Sequence, residues 1–466
     1  MNKYFLYTSS TPSFGSGKPP KTMEIPKISG EVQSGINSDY GIGDRVLVAS
    51  GKGGVLDCIV PHLFVLKGIL QNSVKLELER SYMNDVSFEK ARTIFSRGFP
   101  VGMNLITQKE FEDVVTLMGG GLLSEEDLLK HIGKFIAARG YYFSDETIAN
   151  YHVCLKTRPF VILAGLSGTG KSKLSQLYAE SIGHTVQNGR YLRLAVRPSW
   201  NDDRFLLGYL NSITGEYITE PAIEFVINAE KDRGNLYFFC LDEMNLAHVE
   251  YYFSQFLSAM EEENAADRRI YLYSEIAQKR LQNQSNSIDV ERIAIVPNNL
   301  LFTGTINVDE TTQPISDKVI DRANTIEFFD IELSKVPDRQ PTPEPVCVSS
   351  NAWNNYRVDQ PDSTYRSKVM EINDILNKSG LGLGYRVLRE IELYMANSNS
   401  LLDSNTAFDL QIKQRILPRL RGTAAILSTL RELIAYMKSN KFDRSCSRLE
   451  EMEGRLKRDG YTSFWR

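Results

Sequence analysis

The sequence predicts an α/β protein. A parallel sheet carries a glycine-rich loop, a smaller β-rich unit precedes it, and a run of helices follows. Three observations predict this. The apolar run Phe160-Val161-Ile162-Leu163-Ala164 leads directly into Gly165-Leu166-Ser167-Gly168-Thr169-Gly170-Lys171-Ser172, which is the strand, loop and helix start of a phosphate-binding motif. Strand and helix patterns alternate over residues 120–330, as in a parallel sheet with crossover helices. The first 118 residues instead hold short alternating runs separated by Gly, Pro, Ser and Asn, and residues after 365 show helical periodicity.

In chain order, Tyr4–Thr8, Arg45–Ser50, His62–Leu70 and Ser73–Arg80 read as strands, the last two as an antiparallel pair. Ile106-Thr107-Gln108-Lys109-Glu110-Phe111-Glu112 closes this unit with a short capped helix. Gly119-Gly120-Gly121 marks a hinge. Ser124, followed by Glu125, Glu126 and Asp127, opens a helix to about Arg139, and a second helix over about Ser144–Leu155 leads into the loop strand. Residues 334–364, rich in Pro, Asp, Ser and Asn, predict an exposed connector. Helices are expected over Arg366–Lys378, Tyr385–Ser398, Asp409–Leu417 and Thr423–Ser439. The resulting boundaries are a β-rich unit at 1–118, an α/β core at 125–333, the connector, and helices at 365–466.

The loop residues point to phosphate chemistry. Gly165, Gly168 and Gly170 let the backbone turn its N–H groups into one anion-sized hollow, with Ser167 and Thr169 between them. Lys171 reaches the β- and γ-phosphates. Ser172 holds Mg²⁺ at the start of a helix whose dipole favours negative charge. About 70 residues further on, Asn235–Leu241 is an apolar strand ending in Asp242-Glu243. That pattern suits Asp242 to the Mg²⁺ shell and Glu243 to polarising an attacking water. Leu300–Ile306 is the next buried strand, ending in Asn307, which can hydrogen-bond a γ-phosphate or the water. Ile315–Arg322 reads as a helix with Arg322 at its exposed end, placed to reach a neighbouring subunit's γ-phosphate; the competing reading is a surface salt bridge to Asp321 or Asp317.

Composition excludes some classes. The chain has 466 residues, a formal charge of −4 and 42% hydrophobic content. No global basic field announces nucleic-acid binding. Five cysteines without metal spacing fit a reducing, cytoplasmic setting, and no run approaches a membrane span. No set of spaced carboxylates with a lysine stands out as a nuclease centre. Gly51-Lys52-Gly53-Gly54 reads as a hairpin tip rather than a second phosphate loop. Trp200 and Trp353 lie in polar sequence surroundings, Trp200 fitting either simple packing or a partner surface.

The order of loop, Asp-Glu, strand-end Asn and late Arg resembles an AAA+ NTPase module. Three strings narrow the resemblance to the McrB branch: Val196-Arg197-Pro198-Ser199-Trp200-Asn201-Asp202 running on to Leu206-Leu207-Gly208-Tyr209, Leu241-Asp242-Glu243-Met244-Asn245-Leu246-Ala247, and Thr305-Ile306-Asn307-Val308-Asp309. The last keeps Asn307 and Asp309 of the branch signature but departs at Ile306, Val308 and Glu310. Gly384-Tyr385-Arg386-Val387 resembles the lid segment whose arginine, here Arg386, senses nucleotide. Ile416–Gly422 and Gly460–Trp465 also resemble this branch. The resemblance covers residues 125–466. It implies an AAA+ core with a helical lid, hydrolysis of GTP or ATP, a homo-oligomeric and expectedly hexameric ring, and a DNA-recognising motor in a modification-dependent restriction system. Cleavage would fall to a separate, McrC-like nuclease subunit. The departures around Asn307 leave the choice between GTP and ATP open.

Residues 1–118 are then the expected reader of DNA, with modified bases among its expected targets. Their order is similar to PUA-like EVE domains, in which a flipped base stacks on aromatic faces. Tyr40, Phe64, Tyr82 and Phe99 are the aromatic candidates. Two other readings stand beside this one: a MoxR-like ATPase that remodels proteins, with residues 1–118 as a protein adaptor, and a nucleotide-gated binding scaffold with negligible turnover.

Overall fold

A computed structural model describes residues 4–9, 22–26, 43–52, 55–69, 73–81, 86–87, 102–115 and 124–465, apart from 212, 215, 283–290, 309–312 and 330–331. The chain divides into two compact units, residues 1–123 and 124–466.

The first unit is a mixed sheet of seven strands: β1 (Tyr4–Ser9), β2 (Thr22–Pro26), β3 (Arg45–Lys52), β4 (Val55–Ile69), β5 (Ser73–Ser81), β6 (Val86–Ser87) and β7 (Gly102–Ile106). They run in the order β2-β5-β4-β3-β1-β7, with β6 on β4. β1 and β3 pair in parallel, and β4 and β5 pair antiparallel. Val46, Leu47 and Val48 are all buried, so β3 is covered on both faces. Thr107 and Glu110 cap the helix Gln108–Val115 reciprocally, Thr107 N donating to Glu110 Oε2 at 2.7 Å and Glu110 N to Thr107 Oγ1 at 3.1 Å. Tyr40, Tyr82 and Phe99, and the side chain of Phe64, lie outside the described residues, as do Asp309 and Glu310.

The second unit is the α/β core with its helical lid. Its sheet has five parallel strands: β8 (Phe160–Gly165), β9 (Tyr191–Ala195), β12 (Tyr237–Asp242), β15 (Leu300–Asn307) and β16 (Asn324–Phe328), in the order β16-β8-β15-β12-β9. Two hairpins are inserted, β10 (Gly208–Leu210) with β11 (Tyr217–Thr219), and β13 (Arg269–Tyr271) with β14 (Ile293–Ile295). Phe160, Ile162, Ala164, Phe239, Leu241, Phe302 and Ile306 share one core cluster with the helix Pro221–Lys231 and the segment 249–260. The alternate residues Val161 and Leu163 are equally buried, as expected for a sheet covered on both faces. Trp200 belongs to that cluster; it stacks on Phe205 and meets Tyr252 edge-on, so packing accounts for it.

Two sequence expectations need correction. The segment 334–364 is not an exposed connector throughout. Ser349 bridges to Asn235, Ser350–Tyr356 is helical, and Val348, Trp353 and Tyr356 are buried. Trp353 meets His152 edge-on, and Tyr356 O accepts from Lys156 Nζ at 3.2 Å. Turn-rich composition misleads here because three large apolar residues anchor the segment. The lid also differs: its helices are Arg366–Asn377, Tyr385–Ser398, Ser404–Gln411, Leu427–Asn440 and Asp443–Asp459, and a π turn at Ile412–Ile416 takes most of the helix expected over Asp409–Leu417. The helix Asp443–Asp459 is highly charged, yet Cys446, Leu449, Met452 and Leu456 form its buried stripe. The strands β17 (Arg421–Gly422) and β18 (Thr462–Ser463) pair, and Trp465 Nε1 donates to Pro418 O at 3.0 Å.

Core and lid are joined by buried charge. Glu390 on the helix Tyr385–Ser398 pairs with both Arg158 and Arg415. Removing one member of such a set strands the others in low dielectric. Glu390→Ala is therefore expected to destabilise this unit by about 3–5 kcal/mol in denaturant unfolding, and a loss below about 1 kcal/mol would contradict the arrangement.

A second buried set joins Glu125, His152, Lys156 and Tyr178. Burial first, and then the charge of Lys156, hold the His152 pKa below its ordinary value. The unfolded state therefore binds the proton first as pH falls, so this contribution is present above about pH 6.5 and is lost below it. Thermal stability should fall between about pH 7 and about pH 5.5, with a smaller fall in His152→Gln. An equal fall in wild type and variant would exclude this source.

Candidate functional site

The sheet order puts β8, β15 and β12 side by side, with Gly165 opposite Asn307 and Leu241 opposite Gly304. Their C-terminal ends meet, so the loop after β8, the acids ending β12 and the polar end of β15 form one site.

In the loop, Gly168 and Gly170 have φ of 80° and 86°, conformations that side chains adopt at a cost. A Cβ on Gly168 would meet nothing within 4 Å, so this stretch of backbone is open to a ligand. Gly165 has a different role from the one its place in the motif suggests. A Cβ there would fall 2.0 Å from Phe328 O of β16, so this glycine permits close strand approach. Lys171 Nζ donates to Gly165 O at 3.2 Å and Leu166 O at 2.6 Å. Thr169 Oγ1 donates to Leu166 O at 2.9 Å. Ser167 is exposed on the loop.

Ser172 lies in the first turn of the following helix, Lys171–Ser181, and its Oγ donates to Asp242 Oδ1 at 2.5 Å. A hydroxyl and a carboxylate oxygen so close, beside the glycine loop, are hard oxygen donors that suit Mg²⁺. Thr305 Oγ1 also donates to Asp242 Oδ1, at 2.7 Å, and accepts from Glu243 N at 2.9 Å. Arg193 Nη1 stands 3.9 Å from Asp242 Oδ2.

Glu243 adopts φ 53°, ψ 45°, an uncommon region for a residue with a side chain. The Thr305 hydroxyl holds its N–H, and Asn307 Nδ2 donates to its Oε1 at 2.9 Å. Asn307 is in turn fixed by buried Asn245, whose Nδ2 donates to Asn307 O at 2.8 Å and whose Oδ1 accepts from Asn307 N at 3.3 Å. Asn307 thus stands on the acid itself. Sequence reasoning quoted Thr305 and Asn245 only as parts of strings. It missed Gly304, where a Cβ would fall 2.0 Å from Met244 Sδ, so that glycine makes room for the turn after Glu243.

Arg322 and Arg386 are not at this site. Arg322 precedes β16, whose first residue pairs with Val161. It therefore lies at the N-terminal end of the sheet, about 13 Å along β8 from Gly165 at ~3.3 Å per residue. Its side chain is only 18% exposed and pairs with Glu261, so it is neither an exposed helix end nor bonded to Asp321 or Asp317. Those acids pair with Arg419 and Arg421. Arg386 Nη1 donates to Glu261 Oε1 at 2.7 Å, which puts the lid arginine beside Arg322 rather than beside the chain's own loop. The cause is the packing of the helix Tyr385–Ser398, which Glu390 ties to Arg158 just before β8. Arg415, buried in the lid, donates to Ile320 O at 3.2 Å and Asp321 O at 3.1 Å and fixes the turn that carries Arg322. Burial, then the like charges of Arg415, Arg386 and Arg322, bring the Arg158 pKa down to about 9; it stays charged near neutrality.

Residues 348–461 match the model of a domain of unknown function, DUF8727. No curated protein matches the chain. Among solved structures, a "putative ATPase" from Cytophaga hutchinsonii ATCC 33406 is similar at 15% identity, covering 59% of this chain and 78% of that one, with a TM-score of 0.39. The strand order and the loop after β8 by themselves define an α/β P-loop core, followed in the chain by helices.

The geometry yields a direct expectation. Lys171→Ala should raise the Kd for a fluorescent triphosphate analogue at least about tenfold, ~1.4 kcal/mol. Gly165→Ala should instead lower the melting temperature by forcing β8 from β16, at about 1–3 kcal/mol. A Lys171→Ala protein that binds as wild type would remove the loop from the site.

Proposed function

We propose that this chain is an AAA+ nucleoside triphosphatase that hydrolyses GTP or ATP, with Mg²⁺, between neighbouring copies in a ring. We further propose that it is the DNA-recognising, McrB-type motor subunit of a modification-dependent restriction system whose nuclease is a separate subunit. The observation that carries the first part is the joining of three strand ends: Ser172 on Asp242, and Asn307 on Glu243, beside one open glycine loop. The second part is supported by the resemblance of residues 196–209, 241–247 and 305–309 to the McrB branch.

In this reading the loop N–H groups and Lys171 bind the triphosphate, and Ser172 and Asp242 would hold Mg²⁺, which supplies charge neutralisation on the phosphates. Glu243 orients the attacking water, and Asn307 holds the Glu243 carboxylate in place. Arg322 and Arg386 stand at the far end of the sheet from their own loop. Both are therefore assigned to a neighbour's γ-phosphate, where an arginine stabilises the charge of the transition state.

Phosphate release with GTP and with ATP tests the proposal, each without DNA, with plain duplex and with 5-methylcytosine duplex. Turnover is expected to rise with modified DNA. Glu243→Gln is expected to bind nucleotide yet lose at least about a hundredfold in rate. ATP turnover indifferent to every DNA would move the assignment to a protein-remodelling ATPase. Turnover by Glu243→Gln at the wild-type rate would remove Glu243 as the water-orienting acid.

A further inference from the structure

The two arginines converge on a carboxylate that no motif contains. Glu261 follows the helix Ser254–Ala259, and its Oε1 takes both Arg322 and Arg386. One carboxylate facing two guanidiniums leaves a positive charge. Behind it, Arg158 and Arg415 share Glu390 and leave another. Arg386 is 46% exposed, and Tyr385 beside it is 96% exposed. This corner of the molecule is thus an arginine pair short of negative charge, pre-set in one orientation and flanked by a bare aromatic ring.

We infer that Glu261 is a positioning residue for hydrolysis in trans: it holds Arg322 and Arg386 as one unit, aimed at the γ-phosphate bound by the loop of a second copy of this chain. The inference rests on the reading of the chain as a ring-forming NTPase. Guanidinium groups lose less freedom per hydrogen bond when a carboxylate has already fixed them. One anchored oxygen therefore makes two mobile side chains into a preorganised anion clamp. Glu261 itself touches no reacting atom. Its place is set by the chain that returns from Glu243 through two short helices, Val249–Tyr252 and Ser254–Ala259, to the opposite end of the sheet.

The test uses the full-length chain and three proteins: wild type, Glu261→Gln and Glu243→Gln. Glu261→Gln is expected to bind a fluorescent triphosphate as wild type does, with unchanged KM, and to lose turnover about tenfold or more. Glu261→Asp is expected to recover part of it. The decisive readout is a one-to-one mixture of Glu261→Gln with Glu243→Gln. Each protein alone is expected to turn over at no more than about a tenth of the wild-type rate. In the mixture, about a quarter of random interfaces pair an intact Glu243 with an intact Glu261 from the neighbour, so turnover should return to about that fraction of wild type. A residue needed only for folding would not be rescued by mixing. Wild-type turnover in Glu261→Gln, or a mixture as inactive as its components, would overturn the inference while leaving the NTPase reading intact. A wild-type protein without turnover would remove that reading and this inference with it.

Discussion

The placement of β15 between β8 and β12 is the constraint on which the rest of the second unit depends. Parallel pairing in that order brings the phosphate loop, the acid pair and Asn307 to one edge, because Gly165 lies opposite Asn307 and Leu241 opposite Gly304. A slip of one residue along β15 would turn Thr305 and Asn307 to the other face. Thr305 would leave Asp242, and Asn307 would leave Glu243. The buried apolar residues of the three strands hold this register. Gly165 and Gly304 do so as well, by being small where a neighbouring backbone or side chain comes close.

The same sheet separates two chemistries. At its C-terminal end, the Ser172 hydroxyl, the Asp242 and Glu243 carboxylates and the glycine loop come together, the set proposed to take phosphate and a hard cation. At its N-terminal end, arginines outnumber the carboxylates they share. A molecule so divided has complementary ends, which the proposed head-to-tail contact between copies would bring together. The lid serves this second end. Arg415 and Glu390 bury charge between lid and core, fix the turn that bears Arg322, and set the start of the helix that bears Arg386. These buried pairs cost desolvation, and what they provide is a single arrangement of the arginine face.

Much of the core was legible in the sequence. A strand, a glycine loop and Lys-Ser are contiguous, so local residues define that element, and Asp242, Glu243 and Asn307 each sit at the end of an apolar run. The partners of these residues were not legible in the same way. Thr305 and Asn245 act through contacts 62 or more residues away, and a sequence shows their identity but not their neighbours. Arg386 could be found in its segment, yet its direction depends on a buried pair between Glu390 and Arg158. Glu261 lies in the acidic run Glu261-Glu262-Glu263, which reads as a solvated turn. Composition misled once: residues 334–364 look like a linker but are pinned by Trp353 and Tyr356.

In the proposed function, one chain holds a phosphate site and an arginine face that cannot serve each other. The measurement that tests it most directly is turnover per chain across a dilution series, with the particle mass followed by light scattering in the same samples. Turnover is expected to follow the fraction of assembled chains and to vanish in the monomer. Full turnover in a sample that is monomeric by mass would contradict it.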